Sequence, residues 1–324
     1  MKLIFAWVLF PFFLVSSGIL RAYQLFVALD KQTGFYKDGN VSNILLSASV
    51  ALFLVIVWFI NLKANNPEKS FAFRKNGGCA FLSVLAAIAV TYYSYFWLDK
   101  YFNGEGPQYD QYNGQIAVLI LVIFSVLTLI PLLMMAVSYI AGRNLFAKAG
   151  GLGLFLPLWM IARIVVSFMF YTAKANIDHN FCDILSMCLI LYVMYNISRA
   201  LADIEHKKAV KSVFLCSIMA AVLVLISLIT IVASNILSND PTVGEYGQIP
   251  WPAYEFILAD IAVVIFSLAF AAQHSRQKAP GQEEEDSSEE AAVEQALPAN
   301  TLSAGAYPEN VDVTDIAAKL ETRD

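Results

Sequence analysis

The sequence predicts an all-α fold, a polytopic transmembrane bundle of about eight helices followed by a disordered acidic tail. Of the 324 residues, 58% are hydrophobic and only 15% are charged, against about 25% charged in ordinary soluble domains. The apolar residues form long uncharged blocks, as they do in helices surrounded by lipid. The charge balance also changes along the chain, because residues 1–278 carry 19 Lys+Arg and 14 Asp+Glu whereas residues 279–324 carry 2 and 12.

Eight apolar blocks are long enough to cross the roughly 30 Å hydrocarbon core of a bilayer. Each is predicted to be helical because lipid offers the backbone no hydrogen-bond partner. The second, third, fourth and seventh blocks are the clearest, since no charge interrupts them, and the eighth is the least clear because it contains Glu255 and Asp260. The predicted helices cover residues 3–20, 44–62, 79–98, 115–140, 152–171, 181–198, 213–237 and 252–273.

The first apolar block has a second interpretation. Lys2, a short apolar run and Ser16-Ser17-Gly18 are also the pattern of a secretory signal that is removed after export. The bulky side chains of Trp7 and Phe12 and the length of the block favour a helix that stays in the protein. Cleavage would leave seven helices in the same orientation.

The distribution of basic residues predicts that both termini are cytoplasmic, because Lys and Arg accumulate in cytoplasmic loops. Segments that alternate to one side of the membrane hold 13 of these residues, and the other segments hold five. The first group is Lys2, Lys63, Lys69, Arg74, Lys75, Arg143, Lys148, Arg199, Lys207, Lys208, Lys211, Arg276 and Lys278, and the second is Arg21, Lys31, Lys37, Lys100 and Lys174.

The C-terminal segment, residues 279–324, is rich in Glu, Ser, Ala, Pro and Gln and is predicted to be disordered in isolation. Its last part, residues 311–321, places Val313, Ile316 and Leu320 on one side of a potential helix. This segment is therefore either a solvated end or a site that folds on a cytoplasmic protein.

Two ionisable residues lie deep inside apolar blocks, where a charge costs several kcal/mol unless it is paired or hydrated. Arg163 precedes Tyr171 by eight residues, and Asp260 follows Pro252 by eight residues, so both are expected about 12 Å inside the outer boundary. Equal depth and opposite charge predict an intramembrane pair. Such a pair either fixes the packing of two helices or lies on the path of a proton, an ion or a solute.

A second polar cluster precedes the sixth block at the outer face. Asp178, His179, Cys182 and Asp183 include the i, i+3, i+4 spacing of metal ligands. The simpler interpretation is that Asn180 caps the helix and Asp183 occupies its third position, and no metal site is predicted. The chain also contains no cofactor motif, no hydrolase motif and no concentrated basic surface for nucleic acid.

The stretch Gly18-Ile19-Leu20-Arg21-Ala22-Tyr23-Gln24-Leu25, followed by Asp30-Lys31-Gln32-Thr33-Gly34-Phe35, resembles the opening of a group of uncharacterised multi-pass membrane proteins. These occur in anaerobic Gram-positive bacteria, and the resemblance covers about 45 residues. It implies a bacterial plasma-membrane protein with an ordered first outer loop, and it carries no known activity, cofactor or site residue.

The functional expectation combines these observations. The long tail and the lack of a catalytic set favour a non-catalytic sensor or scaffold of the plasma membrane, whose acidic tail contacts a cytoplasmic partner. The alternative is a transporter of a small solute or of protons, with Arg163 and Asp260 near the path. A membrane enzyme is the third and least supported interpretation.

Overall fold

The computed structural model describes residues 4–28, 37, 41–63, 73–102, 111–171, 177–238 and 254–275. These residues form an all-α bundle, with eight α-helices and no strand in this part of the chain. The chain divides into a unit of residues 1–278 and a second unit of residues 279–324. The tail and the segment 311–321 lie outside the described residues, so their predicted properties stay predictions.

The predicted helices are all present, and most extend a few residues beyond their predicted ends. Capping residues, rather than the outermost apolar residues, set the helix ends. At the start of the third helix, the Asn76 side chain accepts a hydrogen bond from the Cys79 amide (3.2 Å). Gly142, with φ of +66°, ends the fourth helix. The helices are α1 (Ile4–Tyr23), α2 (Ser42–Lys63), α3 (Gly77–Phe102), α4 (Gln111–Ala141), α5 (Phe155–Tyr171), α6 (Ile177–Leu201), α7 (His206–Ser238) and α8 (Tyr254–Ser275).

Seven of the eight described helices are long and apolar enough to cross a membrane, by length and composition. The exception is α2, whose apolar stretch Ile44–Ile60 spans about 25 Å at 1.5 Å per residue. The second block nevertheless carries no charge before Lys63, and α8, whose block was the least clear in the sequence, is among the seven. In α8 the acidic residues lie near one end, and Ile257–His274 is apolar enough to span.

Large apolar side chains point away from the bundle on its outer helices. Phe12, Ile88 and Val126 are each more than half exposed. A water-soluble protein rarely presents contiguous apolar patches of this kind, whereas lipid solvates them. The chain is a multi-pass membrane protein whose helices meet lipid with these surfaces.

The centre of the bundle is α7, which packs against α1, α2, α6 and α8. Its candidate span is 67% buried, against 28% for the span near the N-terminus. On one side of this centre α3 packs against α4 and α8, and α5 packs against α4 and α6.

We use "basic end" for the end of the bundle where α2, α4, α6 and α8 finish, which carries Lys63, Arg143, Lys148, Arg199 and Lys208, and "far end" for the opposite one.

Two helix boundaries differ from the prediction in a way that affects the site. α1 does not stop at Leu20 but continues to Tyr23 and into a π-helical turn, Gln24–Ala28. The prediction that left Arg21 in a loop is therefore wrong. α5 begins at Phe155, later than predicted, because the preceding glycine-rich run Gly150–Leu154 forms a 3₁₀ turn. A Cβ atom on Gly150 would lie 2.9 Å from the Ala202 Cα atom, so only glycine allows this approach to α6.

Candidate functional site

A buried ion pair between α5 and α8 is the centre of the candidate site. Arg163 is fully buried and Asp260 is 6% exposed. The Arg163 Nη2 atom donates to Asp260 Oδ2 (2.7 Å), and Nη1 donates to Oδ1. This two-point contact satisfies the carboxylate with the fork geometry that a guanidinium provides. The two intramembrane charges singled out by their depth are thus in contact.

Two aromatic rings enclose the guanidinium. Its Cζ atom lies 4.6 Å from the centre of the Tyr93 ring and 5.7 Å from that of Trp159. Both rings are fully buried and meet edge to face at 6.2 Å. Trp159 precedes Arg163 by one helical turn on α5, whereas Tyr93 comes from α3. Ring faces attract a cation most strongly where water is excluded, so these contacts help to hold the charge inside the bundle.

A second buried carboxylate, Asp183 of α6, lies near the pair. It is 8% exposed, and the Ser227 hydroxyl of α7 donates to its Oδ1 atom. The Asp183 and Asp260 carboxylates are close enough for their charges to repel each other. The interpretation of Asp183 as a cap position is corrected, because α6 begins at Ile177 and Asn180 is already inside the helix.

The remaining members of the predicted outer polar cluster belong to the first turns of α6. The side chains of Asp178, His179 and Cys182 lie outside the described part of the structure, so their predicted clustering stays a prediction. Among the side chains that are described, no three His, Cys, Asp or Glu residues lie close enough together to hold a metal ion.

Arg21 of α1 is a second buried cation, and the sequence analysis missed it. Its side chain is 4% exposed, its Nε atom donates to Thr230 Oγ1 (2.9 Å), and its Nη1 atom donates to Gln24 Oε1 (3.0 Å). Gln24 opens the π-helical turn, a feature that is frequent at functional sites. Thr230 lies one turn beyond Ser227 on α7, so α7 joins the two sets of contacts.

These side chains form one layer across the bundle. Arg163 and Thr230 lie eight residues before the ends of their helices, and Asp183 and Asp260 lie six residues after the starts of theirs. These spacings place all four about 9 to 12 Å inside the far end. We call Arg21, Arg163, Asp183 and Asp260 the charged layer. It connects α1, α5, α6, α7 and α8 and combines two guanidinium groups with two carboxylates.

Comparison of the chain with known protein families, with curated protein sequences and with solved structures yields no significant match. The resemblance of the opening residues to a bacterial family therefore stays a prediction.

Proposed function

We propose that the protein is a carrier of a small solute or of protons and that the charged layer is its point of passage. The observation that supports this proposal is the buried Arg163–Asp260 pair with a second carboxylate, Asp183, beside it. Helix packing alone does not require such a pair, because well-packed apolar residues stabilise a protein interior as well or better. Intramembrane charges instead mark ion, proton and substrate pathways.

The layer offers a simple mechanism. Asp260 of α8, the partner of Arg163, interacts electrostatically with a second carboxylate, Asp183 of α6. A proton on Asp260, or a charged group of a solute, would weaken the contact between α5 and α8. The same event would favour interaction of Arg163 with Asp183 or with the solute. Two alternative arrangements of one cation are the kind of two-state element that alternating access requires.

The direct test is transport by the purified full chain in liposomes. Internal pH would be followed with a trapped dye while a potassium diffusion potential is imposed, with amino acids, monocarboxylates and sugars added in turn. We expect flux above that of empty liposomes, its loss in Asp260→Asn, and no change in Glu205→Gln, a matched carboxylate of a surface pair. No flux with any probe, or full flux in Asp260→Asn, would contradict the proposal.

A charge swap separates transport from packing. Arg163→Asp combined with Asp260→Arg keeps an ion pair at the same depth but moves the cation from α5 to α8. We expect this variant to fold and to be inactive. Equal transport by the swapped and parent proteins would mean that the pair serves only to hold the helices together.

A second candidate, a non-catalytic scaffold or sensor, rests on the abrupt change of charge at residue 279. The tail carries 12 acidic and 2 basic residues, which suits contact with a basic cytoplasmic partner. Proteins that co-purify with the full chain would be compared with those that co-purify with a chain ending at Lys278. A partner specific to the full chain would support the scaffold, and identical partners for two folded versions would count against it.

The location and orientation belong to this proposal as well. We place the protein in a bacterial plasma membrane with both termini in the cytoplasm, on the basis of the 13-to-five distribution of basic residues. A reporter enzyme that is active only in the cytoplasm, fused after Lys278, should be active. An inactive reporter in a stable fusion would reverse the assigned orientation.

A further inference from the structure

A second group of buried titratable side chains lies at the opposite end of α8 from Asp260. His274, in the last turn of α8, is 4% exposed, and its Nε2 atom lies 3.0 Å from the hydroxyl of Tyr139 on α4. The rings of Phe270 and Phe73 lie 4.5 and 5.5 Å from the imidazole. This imidazole is thus held in an aromatic enclosure at the basic end, hydrogen-bonded to a fully buried phenol.

The neighbouring contacts fasten α3 to α8 around this group. Asn76 Nδ2 donates to Gln273 Oε1 (2.8 Å), and the Cys79 thiol donates to the Ala269 carbonyl (3.8 Å). Cys79 also interacts electrostatically with Tyr139. Two titratable groups that the described residues bring to this end are therefore Tyr139 from α4, which contacts His274, and Cys79 from α3, beside Tyr139.

One face of α8 connects this group with the charged layer. Asp260, Ser267 and His274 are spaced by seven residues, and each is less than a tenth exposed. Seven residues are nearly two full turns, so the three side chains share one face and are separated by about 10 Å along the axis. The Ser267 hydroxyl donates to the Val264 carbonyl within its own helix (2.9 Å), which leaves its lone pairs as acceptors.

We infer that this face of α8 is a proton route and that the His274–Tyr139 pair is the proton-exchanging site at its basic end. The inference rests on the proposed carrier function and extends it to the coupling ion. Buried chains of Asp and His side chains are typical of proton relays in membranes, and imidazole is the group that changes charge near neutral pH. Packing alone would place an apolar side chain among Phe73, Phe270 and Tyr139.

The proton balance of the site follows from the hydrogen bond. When the Tyr139 hydroxyl donates to Nε2, the neutral imidazole carries its proton on Nδ1. A proton that arrives along α8 adds to Nε2, and the hydrogen bond reverses so that Nε2–H donates to the phenol oxygen. Rotation of the charged ring then presents Nε2–H to water that enters at the basic end, and loss of this proton restores the starting neutral tautomer, with its proton on Nδ1. Because each step of about 10 Å along α8 is too long for direct transfer, the route requires a chain of several waters on either side of Ser267.

Transport measurements provide the first test. We expect His274→Gln to lose proton flux in liposomes, whereas His206→Gln, at the same end of the bundle, retains it. Full flux in His274→Gln together with loss of flux in Asp260→Asn would overturn the route and leave the carrier in place. Size-exclusion profiles of each variant would show whether it is folded.

The deciding test needs no knowledge of the solute. In a full chain with its four cysteines replaced by alanine, Ser267→Cys and Ala262→Cys would be treated with a small charged methanethiosulfonate reagent. Ala262 is also buried in α8, at 7% exposed against 1% for Ser267, but lies about 140° around the helix from it. We expect Ser267→Cys to react at least about tenfold faster than Ala262→Cys. Equal or slower reaction of Ser267→Cys would overturn the proton route, whatever the flux assays give.

Discussion

Two arginine–carboxylate pairs among the described residues differ mainly in their surroundings. Arg163 and Asp260 lie inside the bundle, whereas Arg199 and Glu205 join the end of α6 to the following turn at the basic end. In both, an aromatic residue precedes the arginine by four positions, Trp159 in α5 and Tyr195 in α6. The local sequence pattern is therefore nearly the same, and burial makes the difference.

Water determines what each pair contributes. The Glu205 side chain is 52% exposed and also contacts Lys208 (3.0 Å), so solvent and a neighbour can replace Arg199. Exposed pairs of this kind contribute little to stability. Arg163 is fully buried and Asp260 is nearly so, and loss of one partner leaves a charge in a medium of low dielectric constant.

Removal of one buried partner should have the largest effect. We expect Asp260→Leu to lower the free energy of unfolding by about 3–5 kcal/mol, because Arg163 would keep its charge without a carboxylate. The matched surface change, Glu205→Leu, should have no measurable effect, because solvent screens the exposed pair. The free energy of unfolding of both variants would be measured in bicelles under one condition. Equal losses of stability would contradict the difference between the buried and the exposed pair.

A smaller loss is expected at the second buried cation. Arg21→Leu would remove the donor to Thr230 and to the Gln24 carbonyl oxygen and leave both acceptors buried. We expect a loss of about 1–3 kcal/mol, the usual effect of an unsatisfied buried polar group. The same unfolding assay applies, and Thr230→Val should show part of the effect. An unchanged free energy in Arg21→Leu would mean that α1 does not depend on this contact.

The aromatic contacts should contribute less again. Trp159→Phe keeps a ring beside Arg163 but weakens its attraction for the cation, so we expect a loss of about 0.5–1 kcal/mol. Tyr195→Phe, beside the exposed Arg199, should have no measurable effect. A larger loss from Tyr195→Phe than from Trp159→Phe would show that exclusion of water does not control these contacts.

The exposed Arg199–Glu205 pair should be detectable in the pKa of Glu205 rather than in the effect of a mutation on stability. Hydrogen bonding and charge from Lys208, and then from Arg199, hold the pKa of Glu205 below its ordinary value of 4.5. The stabilisation is therefore present above pH 4.5 and is lost as the pH falls through the lower folded-state pKa. Carbon NMR of the Glu205 carboxyl should give a midpoint below 4.5, and Lys208→Ala should raise it more than Arg199→Ala. A midpoint at or above 4.5 would contradict the two contacts.

The helical fold could be predicted because lipid leaves the backbone few choices, and each apolar block had to form a helix. The depth of Arg163 and Asp260 could also be read from residue counts along α5 and α8, and the structure brings these side chains into contact. Both inferences depend on one-dimensional spacing, which the sequence contains in full.

Other parts of the site could not be predicted, since they depend on contacts between distant helices. The hydropathy pattern predicts that α1 ends before Arg21, because no nearby residue in the sequence pairs with this charge. Its hydrogen-bond partner, Thr230, lies 209 residues away. Tyr93 likewise meets Arg163 only through the packing of α3, and no local pattern marks this contact. α5 begins later than predicted because the glycine-rich run Gly150–Leu154 disfavours an α-helix despite its apolar character and forms a 3₁₀ turn instead.

In the proposed carrier, the buried Arg163–Asp260 pair serves passage through the membrane rather than packing. The most direct measurement compares stability and flux in the double variant Arg163→Met with Asp260→Leu, which replaces both charges by apolar side chains. For a carrier, we expect the double variant to have an unfolding free energy within about 1 kcal/mol of that of the parent protein, or higher, together with complete loss of flux. A folded double variant that transports at the parent rate would contradict it.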